Sequence, residues 1–285
     1  MKTNRSILAY FSATYTTRKI TQRLTCNISE SYEEYDLTSQ IPSENICCNP
    51  NDLLIVGVPV YAGRVPEQAA NALKMLKGNN TPAIIICVYG NRAYDDAMLE
   101  LQDIIEQNGF KTIAAAAFIA QHSIFPQIAA GRPDEEDYRL MNQFSKDCID
   151  LISKLNDISS LPKLKINGKY PYTERKKVPF HPGTLRILCA KCGRCAQLCP
   201  VNAIKLGKLI DTNENLSNIV LKPISKALDN HYYTDEELCI SCGRCLVECP
   251  RNARQYFNIL HKASLVKFTN NYLERKDPEF YSFSL

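Results

Sequence analysis

The sequence predicts a doubly wound α/β domain over residues 1–160, followed by a smaller cysteine-rich domain. Three observations carry this. Residues 1–160 alternate short, continuous apolar runs with amphipathic segments, the pattern of parallel strands buried on both faces and covered by helices. The charge balance reverses along the chain, with 14 Lys and Arg against 19 Asp and Glu in residues 1–160 and 20 against 11 in residues 161–285. Eight of the 13 cysteines fall in two tight runs in the second half. With 45% apolar and 22% charged residues, the 285-residue chain has ordinary globular composition, which excludes wholesale disorder.

RSILAYF (Arg5 to Phe11) reads as the first buried strand, and a helix starts near Thr16 with Ile20 and Leu24 on one face. SYEEYDL (Ser31 to Leu37) is a weaker strand and DLLIVGVPV (Asp52 to Val60) a strong one. A helix from about Glu67 buries Ala69, Ala72, Leu73 and Leu76 and ends at Gly78. PAIIICVYG (Pro82 to Gly90) is the fourth strand. The next helix carries Asp95 and Asp96 at its positive N-terminus, an apolar stripe from Ala97 to Ile105, and a stop at Asn108-Gly109. FKTIAAAAFIA supplies the fifth strand. A long helix follows Pro133, with Met141, Phe144, Cys148, Ile152 and Leu155 at helical spacing.

Residues 161–183, with four prolines and a net charge of +5, read as a basic linker, solvated or docked onto the acidic first domain. No nucleic-acid-binding fold surrounds it, so no nucleic-acid partner is expected. Residues 184–262 form the cysteine-rich domain, and 263–285 a polar, aromatic tail. No apolar run is long enough to span a bilayer, and MKTNRSILAYF lacks the features of a secretory signal. A cytoplasmic location is therefore expected. Cys26, Cys47, Cys48, Cys87 and Cys148 read as small buried hydrophobes or surface thiols.

CAKCGRCAQLCPVNA (Cys189 to Ala203) returns as CISCGRCLVECPRNA (Cys239 to Ala253), shifted by 50 residues. Both runs read C-x2-C-x2-C-x3-C-P. Three evenly spaced thiolates cap three corners of a 4Fe–4S cube, while the fourth cysteine reaches the other cube. One cluster is expected on Cys189, Cys192, Cys195 and Cys249, the other on Cys239, Cys242, Cys245 and Cys199. Gly193 and Gly243 let the backbone turn closely around the sulfurs. A pair of structural zinc sites leaves the third evenly spaced cysteine and the Cys-Pro ending unexplained. The module resembles bacterial two-cluster ferredoxins, with a longer insert, near LIDTNENLSNIVLKPISKALDNHYY, between the runs.

After the first strand, Ser12-Ala13-Thr14-Tyr15-Thr16-Thr17 opens a helix, as an anion site or as a Thr-rich cap. GVPVYAGRVP and YGNRAYDD follow the third and fourth strands and leave the same sheet edge; Tyr61 or Tyr94 can stack on a flat ring there. SATYTT resembles a flavodoxin phosphate loop, and PVYAGRVP and YGNRAYDD resemble flavin-ring loops. With AQHSIFPQIAAGRPDEED and the double cysteine run, nearly the whole chain resembles the flavodoxin–ferredoxin fusions of anaerobic bacteria called ferrodoxins.

That resemblance implies a flavodoxin-like five-stranded parallel sheet in the order 2-1-3-4-5, FMN in the first domain and two 4Fe–4S clusters in the second. By the same carry-over, Ser12, Thr14, Thr16 and Thr17 hold the phosphate. Pro59, Val60, Tyr61, Ala62 and Gly63 line the ring together with Gly90, Asn91, Arg92 and Tyr94. Tyr15 stands where flavodoxins usually have glycine, with its ring crowding the phosphate or lying over the cofactor. His122 and Arg132 read as packing or capping groups, with a substrate- or proton-handling role as the alternative.

The expected function is electron transfer between the clusters and a flavin, exchanged with a ferredoxin- or reductase-like partner protein. One alternative is an FMN-dependent reductase of a small molecule fed by its own clusters; another is a ferredoxin whose flavodoxin shell is empty and used for docking. No G-x-G-x-x-G follows a strand, so direct binding of a nicotinamide cofactor has no support.

Overall fold

A computed structural model describes residues 3–39, 41–155, 157–207 and 231–283. The chain divides into two units, Met1–Lys177 with Leu265–Leu285, and Val178–Ser264. The first unit contains β1 (Arg5–Tyr10), α1 (Thr16–Ile28), β2 (Glu33–Asp36), β3 (Ile46–Cys47), β4 (Asp52–Pro59), α2 (Glu67–Leu73), β5 (Leu76–Lys77), β6 (Thr81–Tyr89), α3 (Ala97–Gln107), β7 (Phe110–Ile119) and α4 (Glu135–Lys154). The second holds β8 (Gly183–Thr184), α5 (Arg194–Gln197), β9 (Ile204–Gly207), β10 (His231–Thr234), α6 (Arg244–Val247) and β11 (Arg254–Gln255). Helix α7 (Ile259–Tyr272) leads back to the first unit, which ends in β12 (Glu279–Ser282). Residues 208–230, most of the expected insert, lie outside the described residues.

The long sheet runs β2-β1-β4-β6-β7-β12, its first five strands parallel. Counted as long strands, that order is 2-1-3-4-5, the flavodoxin-like arrangement. The strands are buried on both faces, which is why they read as continuous apolar runs: all nine residues of β6 are buried. Alternate residues such as Leu8, Tyr10, Ile84, Ile86 and Phe118 pack with Ile20 and Leu24 of α1 and Met141, Phe144 and Cys148 of α4. Each fully buried Leu, Ile or Val there stabilises the fold by about 1.5–3 kcal/mol. Gly57 lets α1 lie against β4, because a Cβ there would come within 2.1 Å of Thr21 Cγ2.

Asp95 and Asp96 stand at the N-terminus of α3, Asp96 as its N-cap residue, and their carboxylates bind other partners: Asp95 pairs with Arg92, and Asp96 accepts N–H bonds from Lys169 (3.1 Å) and Thr173 (2.6 Å). Two features depart from the sequence expectations. The helix from Glu67 stops at Leu73 instead of Gly78, and Leu76–Lys77 pairs in parallel with β3. The sheet has a sixth strand, because β12, within the segment expected as a tail, pairs antiparallel with β7. Helix α4 starts as the sequence suggests, at a reciprocal capping box between Asp134 and Asp137. Among the described residues no helix is long and apolar enough to cross a membrane.

The segment after Leu161 docks onto α3. Gln102 Nε2 donates to the carbonyl of Leu164 (3.0 Å), and Asp103 accepts from Lys163, Tyr170 and Tyr172. Arg175 pairs with the buried Glu100, which also binds Arg64. The basic charge of the linker is thus matched by the acidic face of one helix.

Candidate functional site

The two cysteine runs fold the same backbone twice. Left-handed φ values recur at Lys191 and Ser241 (56° and 53°), Gly193 and Gly243 (78° and 79°), and Asn202 and Asn252 (52° and 50°). The glycines adopt this conformation without a Cβ penalty and start α5 and α6. One cavity is lined by Cys189, Cys192, Cys195 and Cys249, and a second by Cys199, Cys239, Cys242 and Cys245. Each brings three cysteines of one run to the fourth of the other, in the two sets that the spacing assigns.

The donor chemistry fits a metal–sulfur guest. Burial pushes the thiols of Cys195, Cys239 and Cys242 up, and that of Cys245 to about 11 despite the guanidinium of Arg254 beside it. Such thiols stay protonated until a metal draws the proton off. Backbone N–H groups already point at three sulfurs: Ala203 at Cys199 Sγ (3.3 Å), Ala253 at Cys249 Sγ (3.1 Å) and Ser241 at Cys239 Sγ (3.4 Å). Among the described residues, no group of three or more His, Cys, Asp or Glu side chains is gathered as a site for a single metal ion. The buried Glu248 carboxylate ties the two short helices together through Arg194 (2.8 Å) and Arg244 (3.4 Å). Arg254, 3% exposed, lines both cavities. Sequence reasoning did not single it out; the available signal was a break in the repeat, where the first run has Ile204.

In the first unit, the chain leaves β1 for β2 on one side and β4 for β6 on the other, so β1 and β4 flank the switch point of the sheet. Ligands of open α/β sheets bind outside the carboxyl ends of such strands. The loops after β1, β4 and β6 meet at this edge. Tyr15 heads α1 in the left-handed conformation, φ 67°, and the residue is 38% exposed. Ser12 is buried; its N–H donates to Thr38 Oγ1 (2.7 Å) and its Oγ accepts from the Arg18 N–H (3.0 Å). Thr14 and Thr16 are half-buried, while the buried Thr17 turns its methyl toward Gly57.

Pro59, Val60 and Tyr61 are half-buried, and Tyr61 bridges Arg64 across a tight turn with Ala62 and Gly63 left-handed. The Gly63 carbonyl accepts from the Asp96 N–H (3.1 Å), seating this loop on the next. Gly90 faces the His122 ring, where a Cβ would come within 2.5 Å. Asn91 is buried; its Nδ2 donates to the carbonyls of Tyr272 and Glu274, both at 2.7 Å, and its Oδ1 has no partner among the described residues. Arg92 pairs with Asp95. Tyr94 is buried edge-on to Tyr89, and its hydroxyl meets Glu279 and Tyr281. Its ring and hydroxyl thus anchor the C-terminal strand, which leaves Tyr61 and Tyr15 as the more accessible tyrosines of these loops. His122 and Arg132 pack: His122 lies against Phe125 and Phe268, and Arg132 forks onto the buried Asp137 and holds the Lys276 carbonyl.

Residues 188–253 match the family described as 4Fe-4S dicluster domain. No curated protein matches the chain. Similar solved structures include the flavodiiron core Flv1 of Synechocystis, 15% identical with TM-score 0.39, covering 54% of this chain and 37% of that one. Rubredoxin oxygen:oxidoreductase of Desulfovibrio gigas is 15% identical with TM-score 0.39, covering 55% and 38%. An archaeal flavodoxin is 9% identical with TM-score 0.36, covering 53% and 99%. The chain thus spans less than two-fifths of the first two proteins.

Proposed function

Since the chain joins a flavodoxin-like sheet to a 4Fe–4S dicluster domain, we propose that it is an electron-transfer protein carrying two 4Fe–4S clusters and FMN. The observation that supports this most is the pair of cavities, each ringed by three cysteines of one run and the fourth of the other. Cys189, Cys192, Cys195 and Cys249 would hold one cluster, and Cys199, Cys239, Cys242 and Cys245 the other. When bound, the clusters supply one-electron chemistry and the flavin one- or two-electron chemistry.

FMN is supported by the switch-point edge and by the three loops that meet there. The first residues of α1 and the hydroxyls of Ser12, Thr14, Thr16 and Thr17 would take the phosphate, with Tyr15 at the bend. Residues 59–63 and 90–92 would line the ring, and the unpartnered Asn91 Oδ1 offers an acceptor to a ring N–H. The proposed partner is a protein that exchanges single electrons, and no residue of the chain is asked to move a proton.

An anaerobic cofactor census is the test. About eight iron, eight acid-labile sulfides and one FMN per chain are expected. Cys192→Ser should impair one cluster and slow reduction of the flavin by an external ferredoxin at least several-fold. Flavin reduction at the unchanged rate would sink the proposed link, and a chain that takes up no FMN would sink the flavin half of the reading.

A further inference from the structure

The two cysteine runs repeat at a spacing of 50 residues, and their buried positions follow the repeat until one site breaks it. Ala203 and Ala253 are equivalent and both 1% exposed. The next residue is Ile204 in the first run, 6% exposed, but Arg254 in the second, 3% exposed. Ile204 lines only the cavity of Cys199, Cys239, Cys242 and Cys245, whereas Arg254 lines both cavities.

A buried guanidinium is costly unless a negative group compensates it. Here Nη1 donates to Thr184 Oγ1 (2.5 Å), and Nη2 donates to the Pro182 carbonyl (2.7 Å) and to Thr234 Oγ1, all uncharged acceptors. Among the described residues Nε is buried with no hydrogen-bond partner, and the guanidinium also reaches the Cys245 thiol. Among the described residues, no Asp or Glu forms an ion pair with it. The negative charge that it lacks is the charge that two thiolate-ligated clusters would bring to the cavities on either side.

We infer that Arg254 is a shared counter-charge for both clusters, a fixed positive charge that makes each of them easier to reduce. This inference rests on the cluster reading above. Reduction adds one electron from an external donor to a cluster and its four thiolates, taking the assembly from dianion to trianion with no bond made or broken. A nearby positive charge in a low-dielectric interior favours the more negative state. Arg254 is thus a positioning and tuning residue, not a ligand.

The test compares Arg254→Gln, Arg254→Lys and Thr234→Val in the full chain, with iron counted before anaerobic dithionite titration followed by electron paramagnetic resonance. Absence of iron from the unsubstituted protein would defeat the cluster reading itself, separately from the role of Arg254. With eight iron retained, Arg254→Gln should disfavour reduction of each cluster about tenfold, which is 59 mV lower for a one-electron couple. Arg254→Lys and Thr234→Val, which keep the charge, should leave both midpoints in place. Unchanged midpoints in Arg254→Gln, or a shift at one cluster only, would overturn the inference. Should Arg254→Gln lose iron, the unsubstituted protein and Arg254→Lys, both labelled with ¹⁵N-arginine, decide. Because Arg251 lines one cavity and Arg244 the other, the readout is the difference: arginine nitrogen coupling should weaken at both reduced clusters in Arg254→Lys, and coupling unchanged at either cluster overturns the shared role.

Discussion

His122 shows how a single side chain ties the sheet edge to pH. Its Nδ1 accepts N–H bonds from Ile124 (3.1 Å) and Phe125 (3.2 Å), which requires the neutral ring. Burial, and then the Arg92 guanidinium, lower its pKa from 6.5 to about 4. The folded state therefore resists a proton that the unfolded chain accepts, so its contribution is complete above pH 6.5 and is lost as pH falls toward 4. By pH 5 the loss should reach about 2 kcal/mol. Denaturant midpoints between pH 7.5 and 5 check this, because His122→Phe should be less stable at neutral pH yet flatter across the range. Equal slopes for the two proteins would refute the assignment. At Tyr15 the SATYTT loop was legible, and its resemblance to a flavodoxin loop put glycine where this chain has tyrosine. The chain instead places tyrosine at φ 67°, a conformation that costs a non-glycine residue about 1–2 kcal/mol, and leaves the residue partly exposed.

Among the elements, β12 was the least legible. EFYS is four residues long, and its partners Ala114–Ala117 lie more than 150 positions earlier, so no local pattern announces the pairing. Its reason is physical: without it, β7 would leave an open row of backbone groups beside a strand with all but one of its ten residues buried. Phe280 adds an aromatic anchor, stacked on Phe144 (5.0 Å) and tilted against Phe118 (5.6 Å). Phe280→Ala should cost about 2 kcal/mol in a urea titration, below the range for a fully buried Phe because this residue is 38% exposed. A cost near zero would mean that the strand docks through its backbone alone. Parallel strands and amphipathic helices, by contrast, were readable because burial on two faces or one stripe fixes their apolar period. The end of α2 was not, since Leu76 continues the apolar pattern while belonging to β5.

At the scale of the whole molecule, the two units draw on different sources of stability. The first has an extended apolar core, whereas the described buried cluster around the cysteine runs consists of Cys195, Ile204 and Cys245, two of them proposed ligands. Binding of the inorganic core should then be folding energy for Val178–Ser264. Anaerobic chelation of iron should abolish amide-exchange protection in β8–β11 and β9–β10 while β4, β6 and β7 keep theirs; protection that survives iron removal would show that the unit folds unaided. The five parallel strands were legible in the sequence alone, and the two proposed cysteine sets rest on its ligand spacing, because apolar period and spacing are local properties of a chain. Tertiary structure alone decided that the linker grips α3, that Tyr94 and Asn91 hold the returning C-terminus, and that Arg254 lies between two cavities. These depend on which distant segments meet once the apolar surface is buried, and no window of sequence contains both partners.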